Sequence, residues 1–163
     1  MALVLEDGTG LASATSLVSV AEVRDFASAR GDTLPTVDAD LETLIILAHD
    51  YLIRFEDRFQ GFRRRETQAL PFPRNGISLY GRFLSVGTIP RTLKSALAQL
   101  VIEGISNDIL PIGTGNPIVK EIVGPITTQY AAGASTAPQP IFPRVDAFLI
   151  PLFSHRYLAS LRV

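Results

Sequence analysis

Apolar residues recur at helical spacing in three stretches. In the first, Val20, Val23, Phe26 and Ala27 share one side of a helix, and Ser19 with Glu22 sets up a reciprocal cap in which each side chain satisfies the other's backbone N–H. This predicts a helix from about Val20 to Arg30, closed by Gly31 where a left-handed residue is wanted. In the second, Leu41, Leu44, Ile45, Ala48, Leu52 and Phe55 follow a run of acids suited to a helix N-terminus. That helix should begin at Asp38 and stop before Gly61, leaving Arg54, Glu56, Asp57 and Arg58 in water. In the third, Leu93, Leu97, Leu100, Val101 and Ile105 form a stripe through about Ser106, with Thr88 placed to cap and Pro90 suited to the first turn. Gly104 costs about 1 kcal/mol against alanine in a helix interior, and is read as the mark of a close helix crossing.

The period then changes. Ile118–Val123 and Ile126–Tyr130 are β-branched runs joined at Gly124-Pro125, a hairpin pattern. Between Gly61 and Thr88 the glycines and prolines forbid a long element, so a structured loop with short strands is expected. Residues 131–140, small and proline-punctuated, read as a linker. Val145–Ile150 is a short apolar helix stopped by Pro151. The pattern leaves open whether 141–163 is an arm that packs on a neighbour through Phe142, Phe148, Leu149 and Phe153, or a last helix of the same core. The expected fold is mainly α: a small helical bundle with a β-hairpin and an extended loop, organised as a domain at 1–130, a linker at 131–140 and a terminal helix or arm at 141–163.

Charge alters this picture more than composition does. The 163-residue chain carries a net charge of −1. From Arg58 to Lys94, however, eight arginines and lysines face Glu66 alone, whereas residues 1–57 hold eleven acids against Arg24, Arg30 and Arg54. Such polarity serves a phosphate backbone or the acidic face of a partner. The chain is 47% hydrophobic with a mean hydropathy of +0.25, high for a small monomer, which points to subunit contacts. No apolar run approaches the roughly eighteen residues needed to span a bilayer, and Glu6 and Asp7 near the start do not fit a secretory signal.

Candidate chemistry is sparse. There is no cysteine and there are two histidines, so no metal site and no cofactor are expected. His49 and Asp50 are adjacent in a helix and face different ways, which favours a structural or surface histidine over a catalytic one. The glycine pairs at Gly8/Gly10 and Gly113/Gly115 lack the remainder of any phosphate-binding fingerprint and read as turns. Asp38, Asp40 and Glu42 are explained by the helix start. A non-enzymatic protein is therefore expected. What remains is Arg63, Arg64, Arg65, Arg74 and Arg82 interleaved with Phe62, Phe72, Tyr80 and Phe83, a mixture able to contact phosphates and stack bases.

Several blocks, taken in order, carry a resemblance: Met1–Leu11, Ser16–Glu22, Ala48-His49-Asp50-Tyr51-Leu52, Phe59-Gln60-Gly61, Gln68–Arg74, Ile89-Pro90 and Phe142–Leu149. Together they resemble a tailed-phage family often labelled DnaT-like single-stranded-DNA-binding, whose helical organisation is similar to head-tail adaptor, or connector, proteins. Phe72 departs from the tryptophan expected before Pro73-Arg74. The resemblance implies a structural virion protein at the neck, made in the host cytoplasm: a homo-oligomeric ring, commonly a dodecamer, between portal and tail or tail-terminator proteins. Such a ring would touch DNA without specificity and have no membrane role. In it, Arg63, Arg64, Arg65, Arg74 and Arg82 would meet subunit, portal or DNA, and Asp38, Asp40 and Glu42 would form the acidic partner face. The rival expectation is a genuine single-stranded-DNA-binding protein acting in phage replication.

Overall fold

The structure, a computed structural model, describes residues 3–110, 118–122, 127–130 and 140–154. Among these residues the chain is a small mixed α/β domain of four helices and three two-stranded antiparallel pairs. Helix α1 runs Val20–Ser28 and begins as its sequence directs, with Glu22 N donating to Ser19 Oγ (3.1 Å) and Ser19 N to Glu22 Oε2 (2.8 Å). Gly31 adopts a positive φ of 75° just beyond it. Helix α2, Asp38–Ile53, presents Leu41, Ile45, Ala48 and Leu52 inward and has Asp38 and Asp40 in its first turn.

Helix α3, Arg91–Ser106, is the axis of the domain. Its residues Ala96, Leu97, Ala98, Gln99, Leu100 and Val101 are all buried, because α1, α2 and the later helix α4 (Pro143–Leu149) pack around it. Alanines at 96 and 98 let backbones approach, while each fully buried leucine contributes about 1.5–3 kcal/mol of transfer free energy. Pro90 stands just before the first turn, and the helix start has no side-chain cap, so Thr88 does not play the expected role. Ile105 is 42% exposed rather than on the buried face. The space a Cβ would fill at Gly104 is taken by Ile109 folding back on α3, with Leu44 of α2 3.6 Å from that position.

Residues 142–153 are part of this core. Phe142, Val145, Leu149, Leu152 and Phe153 are buried, and a 3₁₀ turn at Ile150–Leu152 continues α4. Tilted and edge-on ring contacts run from Phe142 through Tyr51, Phe55, Phe153 and Phe59 to Phe72, tying α4 to α2 and to the loop that follows it. Phe148 lies edge-on to Phe26 of α1. Of the four residues expected as possible arm contacts, Phe142, Leu149 and Phe153 are thus buried in the chain's own core and Phe148 packs half-buried against it. Burying these rings against α2 and α3 removes apolar area from water without a second copy.

Four short strands occupy the expected structured loop: β1 (Phe62–Arg63) pairs with β2 (Arg74–Asn75), and β3 (Ser78–Leu79) with β4 (Arg82–Phe83). Strands β5 (Ile118–Ile122) and β6 (Thr127–Tyr130) pair where the β-branched runs stand. Their turn, most of the expected linker (131–139) and 155–163 lie outside the described residues.

Candidate nucleic-acid interface

The arginines of the central loop separate into two groups. Arg74, 8% exposed, donates from Nε to Gln60 O (2.9 Å) and from Nη2 to Gly61 O (2.9 Å), and its Nη1 lies 3.6 Å from Glu56 Oε1. Arg63 grips both oxygens of Glu56, with Nη2 2.7 Å from Oε2, and its Nη1 donates to Gln68 O (2.8 Å). The Arg63 guanidinium, bonded to Glu56, holds that carboxyl below the usual glutamate range, against the opposing effect of burial. Sequence placed Glu56 in water; it is instead the acid that anchors two arginines. Gln68 is buried and donates to Leu70 O and Pro73 O, closing the loop over the Phe72-Pro73 cis peptide bond.

Arg64 bridges to the N-terminal segment, donating to Gly8 O beside Gly87. Any Cβ at Gly87 would collide with Arg64 Nη1 and Gly8 O. The Gly8 turn is itself organised by Glu6, a buried carboxylate that accepts backbone N–H groups from Gly8 (2.9 Å), Gly10 (2.8 Å) and Leu11 (2.8 Å). Gly8/Gly10 is thus a turn, as read, and Gly113/Gly115 lies outside the described residues. Arg65 is exposed and rests its side-chain carbons near Gly10.

Arg82 belongs to the second group. Strands β3 and β4 face each other as Ser78↔Phe83 and Leu79↔Arg82, leaving Tyr80-Gly81 as a two-residue turn with φ of 52° and 79°. Two positive φ values define the mirror-image turn that matches strand twist, and glycine suits its second position. Leu79 packs against the core, which fixes the hairpin to the body. Tyr80 and Phe83 are each 83% exposed, Val86 is 66% exposed, and Phe62 on β1 is 64% exposed. Gln60 joins the two strand pairs to the terminal segment: its Oε1 accepts from Ser78 N (3.1 Å), while its Nε2 donates to Pro151 O and Phe153 O.

Of the four aromatics interleaved with arginine, then, Phe72 is a core plug and the other three face solvent. Sequence could not separate them. The signal for the hairpin was Tyr80-Gly81 between the alternating polar–apolar pairs Ser78-Leu79 and Arg82-Phe83, overshadowed by the neighbouring prolines.

The acidic residues divide similarly. Asp38 is paired with Arg24 (2.6 Å), Asp40 is exposed, and Glu42 is partly buried. Glu22 pairs with Lys94 (2.6 Å). With Glu56 bound to Arg63 and Arg74, part of the charge polarity expected to join neighbouring copies is satisfied inside one chain. His49 is buried and structural: Leu17 N donates to Nε2 (2.9 Å), so Nδ1 carries the proton and donates to Ile45 O (2.7 Å). Burial pushes its pKa down from 6.5 to about 4. Among the described residues no group of three or more His, Cys, Asp or Glu is placed to hold a metal ion, and no helix is long and apolar enough to cross a membrane.

A family model described as "Putative DnaT-like ssDNA binding protein" matches residues 1–163. No curated protein and no solved structure matches the chain. The family finding overturns the head-tail adaptor reading, and the connector, portal and virion assignments fall with it. The label that accompanied the resemblance is the part that stands. With a match running the whole length of the sequence, the chain belongs to the DnaT-like single-stranded-DNA-binding family.

Proposed function

We propose that this chain is a non-enzymatic protein that binds single-stranded DNA with little sequence preference, using the β3–β4 hairpin as its stacking platform. The observation that carries this reading is the pair of aromatic rings, Tyr80 and Phe83, held in solvent beside Arg82 on a hairpin anchored by Leu79. Every base has a π-face, so aromatic platforms accept any sequence, and nearby cations take the phosphates. A duplex hides those faces by stacking and pairing, which gives preference for unpaired strands. Arg65, exposed on the same loop, supplies further positive charge. Arg63 and Arg74 hold the loop in shape and are engaged by Glu56 and backbone carbonyls.

The test is an anisotropy titration of a labelled oligothymidylate, repeated over a salt series, beside a duplex of equal length. The single strand should bind more tightly, with affinity falling linearly in log salt. Tyr80→Ala and Phe83→Ala should each weaken it by about 1–3 kcal/mol. Absence of binding at low salt, or equal affinity for duplex, would sink the proposal.

A further inference from the structure

Phe62 is the exposed ring that the hairpin platform leaves out. It stands on β1, 64% exposed, and strand alternation explains why. Its neighbour Arg63 and the cross-strand Arg74 both turn inward to Glu56, so Phe62, paired with Asn75, turns outward. The second strand pair repeats the arrangement. Ile77 is buried and Leu79 packs against the core, so Ser78 between them faces out, and Phe83, paired with Ser78, faces out with it. A single exposed phenylalanine is ordinary. Two of them on the outward faces of joined strand pairs, with Tyr80 at the intervening turn, set three π-faces on adjoining elements.

The join between the two pairs is short and tight. Gln60, just before β1, accepts a hydrogen bond from Ser78 N of β3 at its Oε1 (3.1 Å). Gly61, at a φ of 68°, lies so close to Asn75 and Gly76 that any Cβ there would collide with Asn75 O. Chain reach from Gly61 across Gly76 to Ser78 and its partner keeps the Phe62 and Phe83 Cα atoms within about 22 Å of each other. At a rise of roughly 3.4 Å per nucleotide in a stacked strand, about six nucleotides cover that distance.

Resting on the single-strand reading, we infer that Phe62 is a second stacking station, which takes a base of the same strand that Tyr80 and Phe83 hold. A ring accepts any base, so this station adds affinity without adding sequence preference. The occupant is an unpaired strand because the surface continues the hairpin platform and because of what surrounds the ring. Gly61, Arg63, Asn75 and Gly76 stand beside Phe62 and offer no apolar patch for a protein partner to close over, whereas a base needs one ring.

The test titrates the full chain with labelled oligothymidylates of about 4 to about 16 nucleotides. Wild-type affinity should step up once the oligomer is long enough to join the two stations. Phe62→Ala and Phe62→Leu should lose that step, a fall of about 5- to 150-fold on the longest oligomers, equivalent to the 1–3 kcal/mol of one stacked base. Phe62→Tyr should keep it. All three should retain the wild-type salt slope, because no cation is removed. Photocrosslinking with an oligomer carrying 5-iododeoxyuridine should tag Phe62 together with the hairpin rings. Wild-type affinity in Phe62→Leu, crosslinks confined to the hairpin, or a Phe62→Ala variant altered in oligomeric state but not in DNA affinity would overturn the second station. Tyr80→Ala/Phe83→Ala separates the two readings: wild-type binding by that variant removes the hairpin platform and the station joined to it, whereas weakened binding there beside an unaffected Phe62→Ala removes the station alone.

Discussion

The loop pinned by Arg63 and Arg74 and the hairpin that carries Arg82 both set arginine among aromatics and glycines, and they do opposite things. In the first, Arg74 is buried among carbonyls of Gln60, Gly61 and Pro71, Arg63 is clamped to Glu56, and Phe72 is fully inside. In the second, Arg82, Tyr80 and Phe83 project from a turn and touch little of the body. The difference teaches that an arginine-rich, aromatic-rich stretch is not one interface. Its inner part spends its donors on holding backbone in a shape that has no regular hydrogen bonding of its own, and that rigidity lets the outer part stand in water.

Substitution at Arg74 should break the comparison most forcefully. Arg74→Ala strips donors from three backbone carbonyls and takes one cation from Glu56, and loss of one partner of a buried charged network costs about 3–5 kcal/mol. Urea unfolding should show that loss, whereas Arg82→Ala should move stability by no more than about 0.5 kcal/mol. Equal effects at the two positions would mean that the division between inner and outer arginines is wrong.

Acid should loosen the interior in the same sense. The folded-state pKa of His49, about 4, lies below its ordinary 6.5. Its contribution is therefore complete above pH 6.5 and lost as pH falls toward 4, a total of the order of 3 kcal/mol. Glu56, also lowered, adds a loss of the same sign at more acidic pH, where its clamp on Arg63 is protonated away. Chemical-denaturation midpoints collected from pH 7 to pH 4 should fall steadily, and His49→Leu should flatten the upper part of that fall. A wild-type midpoint constant down to pH 4 would contradict the buried, neutral imidazole.

The smallest expected effect sharpens the hairpin side. Tyr80 sits at a φ of 52°, a region costing a non-glycine residue about 1–2 kcal/mol. Asparagine is favoured at that position of the turn, so Tyr80→Asn should gain about 0.5–1 kcal/mol of stability while losing single-strand affinity. Opposite signs in thermal unfolding and in DNA titration would identify Tyr80 as a residue kept for binding against the preference of its backbone. Loss of both would mark it as merely structural.

Much of the frame was legible from local rules. The Ser19/Glu22 cap, the helix starting at Asp38, the stripe of Leu93, Leu97, Leu100 and Val101, and the paired runs at 118–130 all follow from hydrogen-bond satisfaction and periodicity, which act between residues a few positions apart. Residue order by itself showed arginines and aromatics gathered in one stretch, and composition showed no cysteine. Tertiary structure decided the rest. It sent Phe72 inward and Tyr80 outward, turned Glu56 from a solvated charge into an anchor, drew Phe142, Leu149 and Phe153 into the core, and paired Glu22 with Lys94 across 72 positions. Each of those outcomes depends on which distant surface arrives to exclude water from a side chain, and burial by a remote partner leaves no trace in the spacing of neighbouring residues.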